Sequence, residues 1–218
     1  MKRFTQGKFS ENAQPTVEVE VATAYVQVQG FHVKLEIYDT LGQERFGKLP
    51  NILYRNTDGI ILVCDLTNAK SFLGLDSWLA DVKNYCDDDV PVIIAGNKMD
   101  EANKRAVTQK MIRDFANEEK YQFLETSAKD NINVELVFFS LLKEVLQKKN
   151  LIPPGPVAEM RVVPKKAIQN SESRLPEKLP AEKVDIISLK LHNFKESTRT
   201  EVKSSAAQTG EERRPCSC

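Results

Sequence analysis

The 218-residue chain predicts an α/β fold, a mainly parallel sheet with helices on both faces. Two short runs, 59–65 and 90–96, are almost entirely apolar, as strands covered on both sides are. Apolar residues at helical spacing follow them: Phe72, Leu75, Leu79 and Val82, then Met111, Ile112 and Phe115, then Val134, Val137, Phe138, Leu141, Leu142 and Val145. Strand and helix patterns therefore alternate along the chain, which calls for parallel strands joined by crossover helices.

In order, the stretch through Asn12 is polar and irregular. A long strand is expected over 16–29, with Val17, Val19 and Val21 in one phase and Val26 and Val28 in the other, so a bulge or bend is expected near 22–24. Gln29-Gly30 turns the chain into a strand over 33–40, where Val33, Leu35 and Ile37 alternate with more polar residues. A weak helical pattern covers 48–55. Pro91 stands near the start of the run over 90–96, where a missing N–H costs least. Thr108 is placed to cap the helix carrying Met111, Ile112 and Phe115, a short strand is expected at Phe123 to Glu125, and Asn131 opens the last helix.

At Pro153-Pro154-Gly155-Pro156 the composition turns polar, so the chain divides into a domain over 1–149 and a disordered tail over 150–218. Within the tail, 184–194 has the periodicity for one or two amphipathic turns. Basic and acidic residues number 31 each, which gives no argument for a nucleic-acid partner, and none is expected. No apolar run is long enough to cross a membrane as a helix, and residues 1–6 are too polar to open a secretory signal. The four cysteines, Cys64, Cys86, Cys216 and Cys218, make neither a disulfide framework nor a metal-binding spacing.

The strand over 33–40 delivers Asp39-Thr40-Leu41-Gly42-Gln43-Glu44-Arg45-Phe46 to its carboxyl end, where open α/β sheets bind ligands. A carboxylate there can hold hydrated Mg²⁺, a glycine admits a phosphate close to the backbone, and a glutamine can orient a water. This string resembles the DxxGQ switch of Ras-like small GTPases, and DTLGQERF resembles the DTAGQERF of their Rab branch. Asn97-Lys98-Met99-Asp100 and Glu125-Thr126-Ser127-Ala128-Lys129 come after two further strands and are similar to the NKxD and SAK elements of the same family. The resemblance covers residues 4 to about 147 and implies a P-loop-NTPase-like small GTPase fold that binds GTP or GDP with Mg²⁺.

The same resemblance implies roles for single residues. Asp100 accepts two hydrogen bonds from guanine, Asn97 meets the imidazole side of the base and braces the loops, Lys98 and Lys129 flank the ring, and the Ala128 N–H, beside Ser127, points at the exocyclic oxygen. Thr16 matches the switch threonine that holds Mg²⁺ and touches the γ-phosphate, Asp39 holds the metal through water, Gly42 contacts the phosphate, and Gln43 is the catalytic residue that orients the attacking water. Val21, Tyr38 and Leu53 match an effector-reading aromatic triad, with two of its positions aliphatic. The terminal Cys216-Ser217-Cys218 is similar to the doubly geranylgeranylated ending of Rab proteins. Rab-type effectors and regulators, a prenylation escort and transferase, and the cytoplasmic face of intracellular membranes, with a cytosolic pool, are the implied partners and place.

The departure lies at the beginning. No GxxxxGK[ST] loop is present: the residue five before Gly7 is Lys2, Phe9 follows Lys8, and Gly47-Lys48 lies beyond the switch. The first strand, the phosphate loop and the first helix of the family are expected to be absent. Two buried strands would then each lack a neighbour, at roughly 1–3 kcal/mol for each unpaired buried backbone group. A Rab-like switch of vesicle transport with impaired nucleotide binding is the main reading. Its rivals are a non-hydrolysing pseudo-GTPase that binds partners, and a truncated gene model or splice product; Leu41 and Glu18, the latter where Rab proteins usually have Gly, support the former.

Overall fold

β1 (Glu20–Val28) and β2 (Phe31–Asp39) form an antiparallel hairpin whose register runs unbroken from Glu20 opposite Asp39 to Val28 opposite Phe31. The bulge expected near 22–24 is absent. The change of valine phase has a simpler cause: Val26 and Val28 are fully buried, whereas Val21 stands on the opposite side of the strand and is 52% exposed. The computed structural model describes residues 1–11, 19–28, 31–40, 54–55, 57–156, 159–164 and 186–193, with only the backbone at 31 and 186–193. Thr16, Glu18, Leu41, Gly42, Gln43, Leu53, Cys216 and Cys218 lie outside the described residues.

Before the hairpin comes α1 (Lys2–Gln6), where an irregular stretch was expected. Its Phe4 is buried and stacks on Phe138 with ring centroids 4.0 Å apart. Gly7 ends it in a left-handed conformation, φ 66°, with its N–H on the Arg3 carbonyl, a position that suits a residue without Cβ. After the hairpin come β3 (Gly59–Asp65), α2 (Ala69–Leu73), α3 (Leu75–Tyr85), β4 (Val92–Asn97), α4 (Gln109–Glu119), β5 (Gln122–Glu125) and α5 (Val134–Lys148). Thr108 caps α4 as expected, its Oγ1 accepting the Met111 N–H at 3.2 Å.

Two segments of the expected tail are strands, β6 (Met160–Val163) and β7 (Ile186–Asn193). Among the described residues, seven strands lie in the order β5-β4-β3-β7-β2-β1-β6. The parallel part is confined to β3, β4 and β5, and pairing from β7 through β6 is antiparallel. β7 lies between β2 and β3, where an empty place was expected, and it is an extended strand within the tail expected to be disordered. The expectation of disorder counted the apolar surface the tail could bury by itself. It left out the backbone N–H and C=O groups of β2 and β3, which a strand in that place satisfies.

Helices cover both faces. On one, α5 and Phe4 of α1 pack Phe138, Leu141, Leu142 and Val145 against Val33, Leu35, Ile37, Ile61 and Ile93. On the other, Leu75, Leu79, Ile112 and Phe115 pack against Ile60, Leu62, Cys64 and Ile94. Successive residues of β3 and β4 thus serve opposite cores, which explains why their sequences lack alternation. The arrangement brings the carboxyl ends of β2, β3 and β4 to one edge.

Candidate functional site: the loops after β4 and β5

β4 ends at Asn97 and β5 at Glu125, and their parallel register holds the loops after them side by side. Backbone bonds tie them: Met99 N–H donates to the Thr126 carbonyl at 3.0 Å and Thr126 N–H to the Gly96 carbonyl at 2.8 Å. Asn97 Oδ1 accepts from the Ala128 N–H at 3.1 Å and from Thr126 Oγ1 at 3.4 Å. Asn97 thus links the loop after β4 to the loop after β5, and the Ala128 N–H expected to meet a base donates to its side chain.

Asp100 is oriented by Ser127, which is fully buried and whose Oγ donates to Asp100 Oδ1 at 2.7 Å. The same oxygen accepts the Asp130 N–H at 2.9 Å, and Ser127 exchanges two backbone bonds with Ile132, so the serine is fixed from three directions. Asp100 itself is half-buried.

Lys98, at φ 68°, places its ammonium 2.7 Å from Asp65 Oδ2 at the end of β3. Burial pushes the Asp65 carboxyl up, but the Lys98 ammonium and the Thr67 hydroxyl and N–H outweigh it, leaving Asp65 below its ordinary range. The Asp65 carboxylate in turn raises Lys98. Lys129 pairs with Glu11 at 2.7 Å, which raises the lysine and lowers the glutamate.

Sequence reasoning missed Asp65 and Arg3. Arg3 donates from Nε to the Ala128 carbonyl and from Nη2 to the Lys129 carbonyl, both at 2.7 Å, and from Nη1 to the Gly7 carbonyl at 2.8 Å. Its guanidinium carbon also lies 5.6 Å from the centre of the Phe9 ring. A separation of 125 residues between Arg3 and Ala128 leaves no local pattern that could have shown the contact. Asp65 did carry a signal, as an acidic residue ending a buried strand at the same edge.

Asp39 ends β2 at this edge, paired through the backbone with Glu20 and Ile187. Of the expected effector triad, Val21 and Tyr38 stand directly opposite each other across the hairpin, while Leu53 is not described. Tyr38 is raised by burial first and then by Glu36, whose Oε2 accepts its hydroxyl at 3.3 Å.

Comparison with known proteins agrees with this arrangement. The family model described as "Ras family" matches residues 1–147. Ras-related protein Rab-10 of Diplobatis ommata is 38% identical over 152 residues, 70% of this chain and 76% of that protein. Human Ras-related protein Rab-12 is 37% identical over 152 residues, 69% of this chain and 62% of that protein. Human Ras-related protein Rab-30 is 38% identical over 141 residues, 65% of this chain and 70% of that protein. With its NKMD and TSAK loops joined at one sheet edge and these matches across its first two thirds, the chain belongs to the Ras family of small GTPases, in the Rab branch.

Proposed function

We propose that this chain recognises guanine nucleotides through the loops after β4 and β5, binds them weakly, and serves vesicle-mediated protein transport as a lipid-anchored module. The observation that carries the reading is the Asn97–Ala128 and Asp100–Ser127 pair of bonds, which joins two loops into one preformed base-recognition edge. A half-buried carboxylate with one oxygen held by a buried serine suits the paired N–H donors of guanine and leaves adenine mismatched. Weak binding is expected because base contacts by themselves leave the phosphate charge uncompensated, and the sequence has no GxxxxGK[ST] loop.

Asp39 at the end of β2, with Thr16, is the pair assigned to Mg²⁺, which supplies charge neutralisation to the phosphates when bound. Gly42 approaches the phosphate, and Gln43 orients the water that attacks it in GTP hydrolysis. Val21, Tyr38 and Leu53 form the patch read by Rab-type effectors and regulators. Prenylation of Cys216 and Cys218, through an escort and a transferase, anchors the chain to the cytoplasmic face of intracellular membranes and leaves a cytosolic pool. No helix among the described residues is long and apolar enough to cross a membrane.

A second reading, a non-hydrolysing interaction module, is favoured by β7. The strand beside β2 and β3 comes from the tail, and no phosphate-loop pattern precedes it in sequence. Isothermal titration with GDP and with ADP, each with Mg²⁺, tests both. Guanine-selective binding weaker than micromolar is expected. Equal response to the two nucleotides overturns base recognition, and sub-micromolar GDP affinity overturns the impairment.

A further inference from the structure

We propose that the place between β2 and β3 is a strand-acceptor site, and that residues 186–193 of the same molecule are its occupant, closing the sheet as a self-supplied strand. The pairing is continuous on both sides. Positions 187–193 stand opposite Asp39 down to Val33, and positions 186–189 stand opposite Leu62 down to Gly59. Without that strand, β2 and β3 would turn unpaired edges toward each other in the interior of the sheet.

The register also states which sequence the site accepts. Leu191, Leu189 and Ile187 fall opposite Leu35, Ile37 and Asp39, and the first two of those partners are fully buried. Across the other border Leu189 falls opposite Gly59. A Cβ at Gly59 would come within 2.8 Å of Val145 Cγ2 and 3.0 Å of Leu141 Cδ1, so α5 lies close against the sheet there. In the alternate phase Lys190 falls opposite Glu36, a cross-strand position that favours opposite charges. Ile-x-Leu-x-Leu is thus the pattern that matches the acceptor, with leucines at the positions of Ile37 and Leu35; Glu36 is also paired with Lys34 of its own strand at 3.1 Å.

Geometry favours the segment of the same molecule over that of a second copy. Val163 is in register with Tyr25, Tyr25 with Lys34, and Lys34 with His192, so the end of β6 lies level with the far end of β7. Three strand spacings across and six residues along separate Val163 from Ile186 by roughly 25 Å. Residues 164–185 connect them, and that length of chain can span about 75 Å when extended. The connector therefore reaches with slack, and a tethered strand acts at an effective concentration of about millimolar, far above that of a second chain in dilute solution. Residues 194–218, which carry Cys216 and Cys218, are then joined to the sheet at its middle.

Hydrogen exchange on the full chain at micromolar concentration tests this, with the oligomeric state measured on the same sample. Amides of 187–193 protected to a degree similar to those of 33–39, in a monomer, are the expected result. Exchange of 187–193 at the rate of unstructured peptide overturns the proposal, and the same protection in a dimer overturns closure within one molecule. A labelled synthetic peptide spanning 184–195 gives a second measurement. It should bind the Leu189→Pro chain saturably, because proline removes a ladder donor from the internal strand, and should bind the unaltered chain at least about tenfold more weakly. Equal binding to both overturns the site. If the proline variant does not fold, the exchange pattern of the unaltered chain decides.

Discussion

Lys98 Nζ lies 2.7 Å from Asp65 Oδ2, so the loop after β4 is fastened to the end of β3 by a charged contact between neighbouring parallel strands. Replacing Asp65 with Asn should cost about 0.5–1 kcal/mol, since the lysine is 49% exposed and water screens the pair. The pH dependence has two ends. Asp65 is lowered on folding, so its contribution is present above the ordinary aspartate value of 3.8 and is lost as pH falls through its folded value. Lys98 is raised, so its contribution is present below 10.5 and is lost as pH rises through its folded value. Urea midpoints against pH should fall toward both extremes, and Asp65→Asn should flatten both; unchanged curves would remove the pair as a source of stability.

Ser127→Ala removes the hydroxyl that donates to Asp100 Oδ1 and accepts the Asp130 N–H. The serine is fully buried, so a stability loss of about 1–3 kcal/mol is expected by denaturant titration. Guanine selectivity over adenine should fall with it, because Asp100 is then free to turn. Retained selectivity with lost stability would limit Ser127 to a packing role.

Gly96→Ala tests how tightly packing under the site controls it. A Cβ there would meet Leu66 Cδ2 and Phe123 Cε1, each at 2.8 Å, both on side chains within the core. Overpacking of this kind should cost about 1–3 kcal/mol. Because Asn97 is the next residue, its bond to the Ala128 N–H should loosen too. Amide exchange at Ala128 reports that loosening; no change there would show that the strand absorbs the methyl without moving its end.

Arg3→Ala removes three bonds to the carbonyls of Ala128, Lys129 and Gly7. Phe4 should stay in place through its stack on Phe138, so the global loss should be modest, about 1 kcal/mol. Amides of residues 128–130 should exchange faster. Equal exchange in both proteins would show that the loop holds its shape without the arginine.

Single replacement of Cys216 or Cys218 by Ser should shift the protein substantially toward the soluble fraction of eukaryotic cells, and replacing both should move nearly all of it, because one lipid chain anchors only reversibly. Intact mass showing no lipid on the unaltered chain would overturn the proposed anchor.

The family and the loops after β4 and β5 were legible in the sequence because they rest on local order. Asn97 to Asp100 and Thr126 to Lys129 each directly follow an apolar run, and a strand's end fixes where the next residues go. Thr108 caps its helix as its position predicts, since a cap bond reaches only three residues. The register of β1 and β2 went the other way: the valine phases suggested a bulge, and only exposure of Val21 in the fold resolved it. Arg3 on Ala128 and Lys129, Lys98 on Asp65, and above all 187–193 beside 33–39 were decided by the tertiary structure. A strand's partner is chosen by whatever edge is left unpaired, and that edge is a property of the assembled sheet rather than of the eight residues that fill it.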